Sequence, residues 1–203
     1  MSKLKTAVIY YSSTGCNYKL ANMAKEGAEK AGSEAKIFKV AELAPESVIS
    51  NNPAWQEHVN ETKHIPEVTL DDLEWADVIV FSAPTRFGNV PSQLKQFLDM
   101  TGPLWQKGKL INKVVTGMTS AMNPHGGQEA TLLSLYTTMY HWGAIVVAPG
   151  YTDEVLYAAG GNPYGTSVSV DMKGNMVDDV ESTKKAVEHQ VKRAISVADA
   201  LAK

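Results

Sequence analysis

Cysteine and long apolar runs are scarce in this sequence. Its 203 residues contain one cysteine, Cys16, so no disulfide can form within the chain. A single cysteine fits a protein of a reducing compartment. No segment approaches the roughly 20 apolar residues that a membrane-spanning helix needs, and the first residues lack the apolar core of a secretory signal peptide. We therefore expect a soluble, cytoplasmic protein without membrane insertion.

Clustered basic charge is scarce as well. Lys and Arg number 19 against 22 Asp and Glu, which gives a formal net charge of −3. Because nucleic-acid binding needs basic residues gathered on one face, we expect no nucleic-acid partner. Hydrophobic residues make up 44% of the chain, as in ordinary globular proteins. With no linker or repeat in it, the chain is predicted to form one domain over residues 1–203.

Short apolar runs alternate with amphipathic stretches along the chain. Five runs predict strands, at 6–11, 35–40, 77–82, 113–118 and 144–148. Continuous β-branched runs of this kind are typical of parallel strands that are buried on both faces. Four stretches predict helices, at 17–31, 91–100, 127–140 and 179–201.

This alternation predicts an α/β fold, a doubly wound, five-stranded parallel sheet with helices on both faces. Right-handed crossovers fit the strand order 2-1-3-4-5, which is flavodoxin-like. Two polar, turn-rich stretches, 45–67 and 150–175, fall outside the pattern and are predicted to be long loop insertions. Ligands of such sheets lie outside the carboxyl ends of the strands, so the loops at those ends are the candidate site.

The loop after the first strand is rich in hydroxyl groups and precedes a helix. It consists of Ser12, Ser13, Thr14, Gly15, Cys16 and Asn17. Unpaired N–H groups and the positive dipole at a helix start favour an anion. Since the loop has no Lys or Arg, neutral dipoles would hold a phosphate there, such as that of a flavin mononucleotide. The alternative is a plain strand-to-helix turn in which Ser and Thr cap the helix.

The loop after the third strand combines a cation with an aromatic ring. It contains Pro84, Thr85, Arg86, Phe87, Gly88 and Asn89. A flavin ring needs a flat apolar surface, which Phe87 offers, and polar donors for its carbonyl-bearing rim. Arg86 would stabilise negative charge on reduced flavin. The alternative for a lone arginine is a surface salt bridge.

The loop after the fourth strand is polar and also precedes a helix. It includes Ser120, Ala121, Met122, Asn123 and Gly126. Its backbone N–H groups suit the rim of a flavin, so three neighbouring strand ends would enclose one crevice. Further along, His141 and Trp105 each follow a predicted helix. The residues alone favour a structural histidine at a helix end and ordinary core packing of the tryptophan.

Several motifs, in the same order and over nearly the whole chain, resemble those of the WrbA-type NAD(P)H:quinone oxidoreductases. They are Pro-Thr-Arg-Phe-Gly-Asn at 84–89, Phe-Leu-Asp-Met-Thr-Gly at 97–102 with Trp105, Gly-Gly-Gln-Glu at 126–129 and Gly-Gly-Asn-Pro-Tyr-Gly at 160–165. The resemblance implies bound FMN, NADH or NADPH as co-substrate, a quinone substrate and a homotetramer. We expect a ping-pong cycle in which the nicotinamide and the quinone use one slot in turn.

The resemblance also implies roles for individual residues. The first loop would hold the FMN phosphate, while Thr85, Arg86 and Phe87 would hold the ring. His141 matches a flavin-contacting histidine of the family. Trp105 resembles the aromatic wall of a substrate pocket that is thought to be shared between subunits. No metal site and no catalytic side chain is expected, because the flavin carries the chemistry.

Two loops depart from the family pattern. Thr14 and Cys16 stand where the family often has tyrosine and histidine, and the tyrosine position, here Thr14, would face the nicotinamide. The loop after the fourth strand is bulkier and one residue longer than usual. Two other functions stay open: a flavodoxin-type electron carrier with protein partners, and a non-enzymatic FMN-binding or scaffold protein.

Overall fold

Residues 3–202 are described by a computed structural model of the chain. They form the strands β1 (Lys5–Tyr10), β2 (Glu34–Lys39), β3 (Val78–Pro84), β4 (Val114–Ala121), β5 (Ile145–Val146) and β6 (Ser167–Ser169). Their helices are α1 (Cys16–Lys30), α2 (Glu46–Ile49), α3 (Pro53–Glu61), α4 (Leu70–Trp75), α5 (Ser92–Asp99), α6 (Gly102–Gln106), α7 (Gln128–Trp142), α8 (Val155–Ala158) and α9 (Val180–Leu201). None of these helices is both long and apolar enough to cross a membrane.

The sheet is parallel and has the order β2-β1-β3-β4-β5, which confirms the predicted flavodoxin-like arrangement. Val8 in β1 pairs with Ile37 of β2 and with Val80 of β3. Val80 in turn pairs with Thr116 of β4. Because parallel strands all point the same way, the carboxyl ends of β1, β3 and β4 are neighbours at one edge of the sheet.

The sheet has a sixth strand that the sequence did not predict. β5 pairs with the start of β4, at Val114, while β6 pairs with the end of β4, where Ser120 faces Val168. The two short strands therefore share the outer position beside β4, and the chain between them leaves the sheet. β6 escaped prediction because its three residues, Ser-Val-Ser, lack a continuous apolar run.

Helices cover both faces of the sheet, as predicted. On one face, Ile9 and Phe81 pack with residues of α5 and α7 such as Leu94 and Leu135. On the other face, Val8 and Val80 pack with α1 and α9. Alternate residues of each strand thus enter opposite halves of the core, which explains why the strands read as continuous apolar runs.

The two predicted loop insertions carry regular structure, which corrects that part of the prediction. Residues 45–67 fold into α2 and α3, and 150–175 contain α8 and β6. Asn52 caps α3, where its side-chain oxygen accepts from the N–H of Trp55 at 3.2 Å, and Pro53 occupies the first helical position. Asn52 and Pro53, which lie in a stretch predicted to be a loop, therefore form a helix start.

Candidate cofactor-binding site

The first loop is folded as a helix N-terminus with open N–H groups. Gly15 has a φ of +95°, a conformation that glycine adopts readily, and its N–H donates to Ser12 Oγ at 3.0 Å. The first helical hydrogen bond of α1 runs from the N–H of Lys19 to the carbonyl of Gly15. The N–H groups of residues 16–18 therefore point out of the helix start and are free to bind an anion.

Asn17 joins this loop to the two neighbouring strand ends. Its side-chain Nδ2 donates to Ser82 Oγ at 3.2 Å, and its Oδ1 accepts from Ser120 Oγ at 2.6 Å. Ser82 Oγ returns a hydrogen bond to the Asn17 carbonyl at 3.0 Å. All three residues are buried. The network fixes the ends of β1, β3 and β4 relative to one another, so Asn17 has a structural role that its sequence position did not reveal.

The loop that follows β3, which we call the second loop, forms a tight turn that presents an aromatic ring to solvent. Arg86 and Asn89 exchange two backbone hydrogen bonds, and the residues between them, Phe87 and Gly88, both have positive φ. Such a conformation disfavours a side chain, yet Phe87 occupies it at φ 53° with its side chain fully exposed. Strain of this kind at a fully exposed aromatic residue marks a candidate binding position.

Arg86 connects the second loop with the first. Its guanidinium donates to the carbonyl of Thr85 at 3.0 Å and lies 3.5 Å from Ser13 Oγ. No carboxylate pairs with it within residues 3–202, which does not support the alternative of a surface salt bridge. The positive charge therefore lies beside the hydroxyl-rich loop, at the side where an anion would bind.

The loop that follows β4, which we call the fourth loop, packs closely on the second loop. A Cβ at Gly127 would lie 2.9 Å from the Cα of Gly88, whereas one at Gly126 would meet the Cβ of Ala121 within the same loop. Thr131 at the start of α7 also donates to Thr85 Oγ1 at 2.6 Å. The glycines of both loops thus permit a contact that side chains would prevent.

These three strand ends enclose one cavity of about 460 Å³. It is lined by Ser12, Ser13, Thr14, Cys16, Asn17, Pro84, Thr85, Arg86, Phe87, Ser120, Ala121, Met122, Asn123 and Gly126 together with Val170, Asp171, Met172 and Gly174. Its volume is typical of sites for nucleotide-sized ligands. The Met122 side chain is partly exposed at its rim.

A hairpin that sequence reasoning missed completes the wall of the cavity. Val170 pairs with Met176, and the Asp171 carboxylate braces the turn by accepting from the N–H groups of Lys173 and Asn175, both at 2.8 Å. Hydrogen bonds from the Asn175 side chain and from these backbone groups hold the pKa of the Asp171 carboxyl below its usual value. Met172 at the lip is 87% exposed. We call residues 170–176 the capping hairpin.

The capping hairpin rests directly on the first loop. Gly174 has a φ of +84°, and a Cβ there would lie 1.9 Å from Oγ1 of Thr14. The pairing of β6 with the end of β4 delivers the hairpin to this position. The only sequence signal for the turn is the Asp-x-x-Gly-Asn pattern, which predicts a turn but not its partner.

The comparisons with known proteins agree with this geometry. Residues 4–153 match the model of the NADPH-dependent FMN reductase family. The chain belongs to this family. A relative from Deinococcus radiodurans named NAD(P)H dehydrogenase (quinone) is 47% identical over 194 residues, which cover 96% of this chain and 95% of the relative. A protein of the same name from Geotalea daltonii is 38% identical over 203 residues, covering 96% and 97%.

A solved structure shares the fold of this FMN reductase family member. The WrbA-like flavodoxin from Agrobacterium tumefaciens matches it with a TM-score of 0.65 at 21% identity, over 98% of this chain and 99% of that one. The relatives confirm the family resemblance that motifs over nearly the whole chain predicted, and this neighbour confirms the flavodoxin-like fold.

Four of the residues predicted to bind the cofactor do not line the cavity of this family member: Gly15, Gly88, Asn89 and His141. The first three shape the loops instead. Asn89 Oδ1, for example, accepts from Ser134 Oγ at 3.1 Å and ties the second loop to α7. Their contribution is therefore to backbone shape rather than to the wall.

His141 and Trp105 lie together, away from the cavity of their own chain. The indole N–H of Trp105 donates to the His141 carbonyl at 2.9 Å. α7 begins beside the cavity at Gln128, and His141 follows 13 residues later, so it lies about 20 Å along the helix at 1.5 Å per residue. The predicted contact of His141 with a flavin and the predicted place of Trp105 in the substrate pocket are thus not found within one chain.

Cys16 is held as a protonated thiol. Its side chain is buried, and burial raises its pKa to about 12, while Lys19 opposes and Asp178 adds to that shift. A thiol in this state is a poor nucleophile at neutral pH. The residue therefore acts as a small buried side chain at the start of α1.

Proposed function

We propose that this protein is an FMN-dependent oxidoreductase that passes two electrons from NAD(P)H to a quinone. The observation that carries the proposal is the single cavity that three neighbouring strand ends enclose together. The family's description includes FMN, and the names of the Deinococcus and Geotalea relatives include NAD(P)H and a quinone. We assign those ligands to this cavity.

The phosphate of FMN would bind at the first loop. The open N–H groups of residues 16–18 and the hydroxyl groups of Ser13 and Thr14 are suited to an anion. Arg86, with its guanidinium 3.5 Å from Ser13 Oγ, adds positive charge at the same end. Apart from the Arg86 guanidinium, the donor set is therefore neutral.

The flavin ring would lie against the second and fourth loops. Phe87 and Met122 offer apolar surface, whereas Ser120 and Asn123 offer polar groups for the ring's carbonyl-bearing rim. These residues, with the rest of the cavity lining, are the ones that we propose hold the cofactor. Thr14 would border the substrate side.

Bound FMN supplies the redox chemistry, taking up two electrons from NAD(P)H and delivering them to the quinone. The protein binds and orients the reactants and needs no side chain as general acid or base in electron transfer. The exposed side chains of Phe87 and Met172 frame the open side of the cavity. We propose that the nicotinamide and the quinone use this side in turn, which gives ping-pong kinetics.

We propose further that each chain folds as one domain and that four chains form a cytoplasmic homotetramer. In this assembly His141 and Trp105 would line the cavity of a second copy of the chain. Both residues lie too far from their own cavity to touch a cofactor there. Trp105 is 57% exposed, and Tyr140, which precedes His141 in the chain, is exposed as well. Exposed aromatic side chains of this kind are typical of protein interfaces.

The test uses the purified full chain and starts with its absorbance spectrum with and without added FMN. We expect uptake of FMN, fast anaerobic bleaching of the flavin by NADH or NADPH, and return of the colour on adding a soluble quinone. Arg86→Ala should weaken FMN binding by roughly tenfold, about 1.4 kcal/mol. Arg193→Ala on α9, outside the cavity lining, is the matched control and should leave binding unchanged.

The other two functions predict different results. FMN that binds tightly but is not bleached by either nicotinamide would indicate an electron carrier with protein partners. A protein that takes up no FMN would contradict the proposal and favour a scaffold role. Sedimentation analysis at several concentrations tests the tetramer separately, and a monomer at all of them would rule out the shared site.

A further inference from the structure

A second, smaller cavity lies behind the first loop. It has a volume of about 180 Å³ and shares Ser12 with the larger cavity. Its lining includes Tyr10, Lys39, Glu42 and His58, so it is polar. The segment 45–67 builds one side of it through α3, which gives a role to a stretch that the proposed function does not use.

His58 of α3 is buried at this position, with 5% of its surface exposed. Its Nδ1 lies 3.6 Å from the point that a Cβ of Gly15 would occupy. The imidazole also packs against Tyr18 of α1, with ring centroids 5.6 Å apart, and against Tyr10 of β1 at 6.4 Å. One layer of backbone, at Gly15, therefore separates the imidazole from the open N–H groups of the loop.

The hydroxyl of Tyr10, which lines the same cavity as His58, is buried and has no hydrogen-bond partner in the described part of the chain. Buried polar groups rarely go without a partner, and such a case calls for an explanation. The imidazole and this hydroxyl both border the space directly behind the loop.

The charged and titratable groups around His58 lie on or next to β1, β2 and α1 and in the loops that follow β2 and α3. Lys39, at the end of β2, faces it and donates to the carbonyl of Thr62 at 2.9 Å. The negative charge of Glu42 acts against the positive charge of Lys39. The Glu42 carboxylate accepts hydrogen bonds from Tyr11, Trp55, Gln93 and the N–H groups of residues 43 and 44. Glu67 also lines the cavity, and the remaining titratable neighbours are Tyr10, Tyr11 and Tyr18.

Without an anion on the loop, this environment keeps the imidazole neutral. Burial and, to a smaller extent, the charge of Lys39 lower the pKa of His58 to about 4, while Glu42 acts in the opposite direction. An anion bound on the far side of Gly15 would add negative charge close to the ring and favour its protonated form.

We propose that His58 is a positioning residue for the FMN phosphate, supporting the glycine turn of the first loop from behind and taking up a proton from solvent as the phosphate binds. The inference rests on the proposed function, because it requires a phosphate on residues 12–17. Through linkage, a group that gains a proton on binding makes binding tighter as the pH falls, and the proton returns to solvent when FMN leaves.

The test measures FMN dissociation constants by fluorescence quenching between about pH 8 and about pH 5. Wild-type protein and the variants His58→Gln and His64→Gln are compared, since His64 is an exposed histidine at the end of the same segment. The wild type should gain at least about threefold in affinity over His58→Gln across this range. His64→Gln should follow the wild type. Protonation of free FMN is common to all three proteins and cancels in the affinity ratios.

Riboflavin, which lacks the phosphate, provides a second comparison, and its affinity should differ between the proteins by a factor that does not change with pH. Histidine NMR of the wild type should show a rise in the pKa of His58 on adding FMN, and none on adding riboflavin. This measurement also decides the matter if His58→Gln does not fold. A pH-independent FMN ratio, or an unmoved pKa, would overturn the inference while leaving the proposed function intact, whereas failure of the wild type to bind FMN would overturn both.

Discussion

Ser120 Oγ donates a 2.6 Å hydrogen bond to Oδ1 of Asn17 and thereby joins the end of β4 to the first turn of α1. Asn17→Ala would remove this bond and the one to Ser82, and would leave two buried hydroxyl groups with one partner fewer. We expect the free energy of unfolding to fall by about 1–3 kcal/mol, the usual cost of unsatisfied buried polar groups. Urea denaturation of the FMN-free protein measures it.

Asn22→Ala is the matched control, because the Asn22 amide lies on the same helix but makes a single local bond, to the Tyr18 carbonyl at 2.9 Å. Its loss should cost less than about 1 kcal/mol. Equal effects of the two substitutions would show that the network between the strand ends adds nothing to stability.

The contact between Gly174 and Thr14 predicts a steric effect on the site. In Gly174→Ala the new Cβ would lie 1.9 Å from Thr14 Oγ1, so the capping hairpin or the first loop must move. We expect FMN affinity to fall roughly tenfold or more, about 1.4 kcal/mol. Isothermal titration with FMN gives the change directly.

Gly32→Ala separates this steric effect from backbone strain. Gly32 has nearly the same φ, +86° against +84°, but no atom lies within 4 Å of its Cβ position. Both substitutions carry a strain of about 1 kcal/mol for a side chain in the left-handed region. If Gly32→Ala weakens FMN binding as much as Gly174→Ala does, the hairpin is not part of the site.

The sequence predicted the sheet and most of the cavity because these features depend on local patterns. β3, for instance, reads as one apolar run, and its end fixes where the next loop starts. Three loops that follow neighbouring parallel strands must lie together, whatever their detailed conformation. Residues such as Ser13 and Arg86 could therefore be assigned to one crevice without coordinates.

The parts that the sequence did not predict depend on contacts between distant segments. The capping hairpin reaches Thr14 only because three residues of β6 pair with the end of β4, a pairing that Ser-Val-Ser does not signal. His58 reaches Gly15 because α3 folds back on the sheet. Asn52 and Pro53 carry a helix-start signal that was available for α3, but nothing in the sequence gives its docking position.

The conformation of Phe87 should lower the stability of the chain while its exposed ring contributes to binding. Its φ of 53° costs a non-glycine residue about 1 kcal/mol, a cost that asparagine bears more easily. Since the Phe87 side chain is fully exposed, Phe87→Asn loses no packing in the FMN-free chain. We expect its free energy of unfolding to rise by up to about 1 kcal/mol, while FMN affinity or kcat/KM for the quinone falls. A variant that loses stability and keeps full activity would contradict this role.

Acid should destabilise the FMN-free protein through His58. The folded-state pKa of His58 is about 4, whereas the unfolded value is about 6.5. Between these values the unfolded chain binds more protons, so the contribution is complete above about pH 6.5 and is lost as the pH falls toward 4. For this residue alone the free energy of unfolding should fall by about 2 kcal/mol between pH 7 and pH 5. Urea denaturation at both pH values should show this loss in wild type and His64→Gln but not in His58→Gln, and a similar loss in all three proteins would mean that His58 is not held neutral by burial.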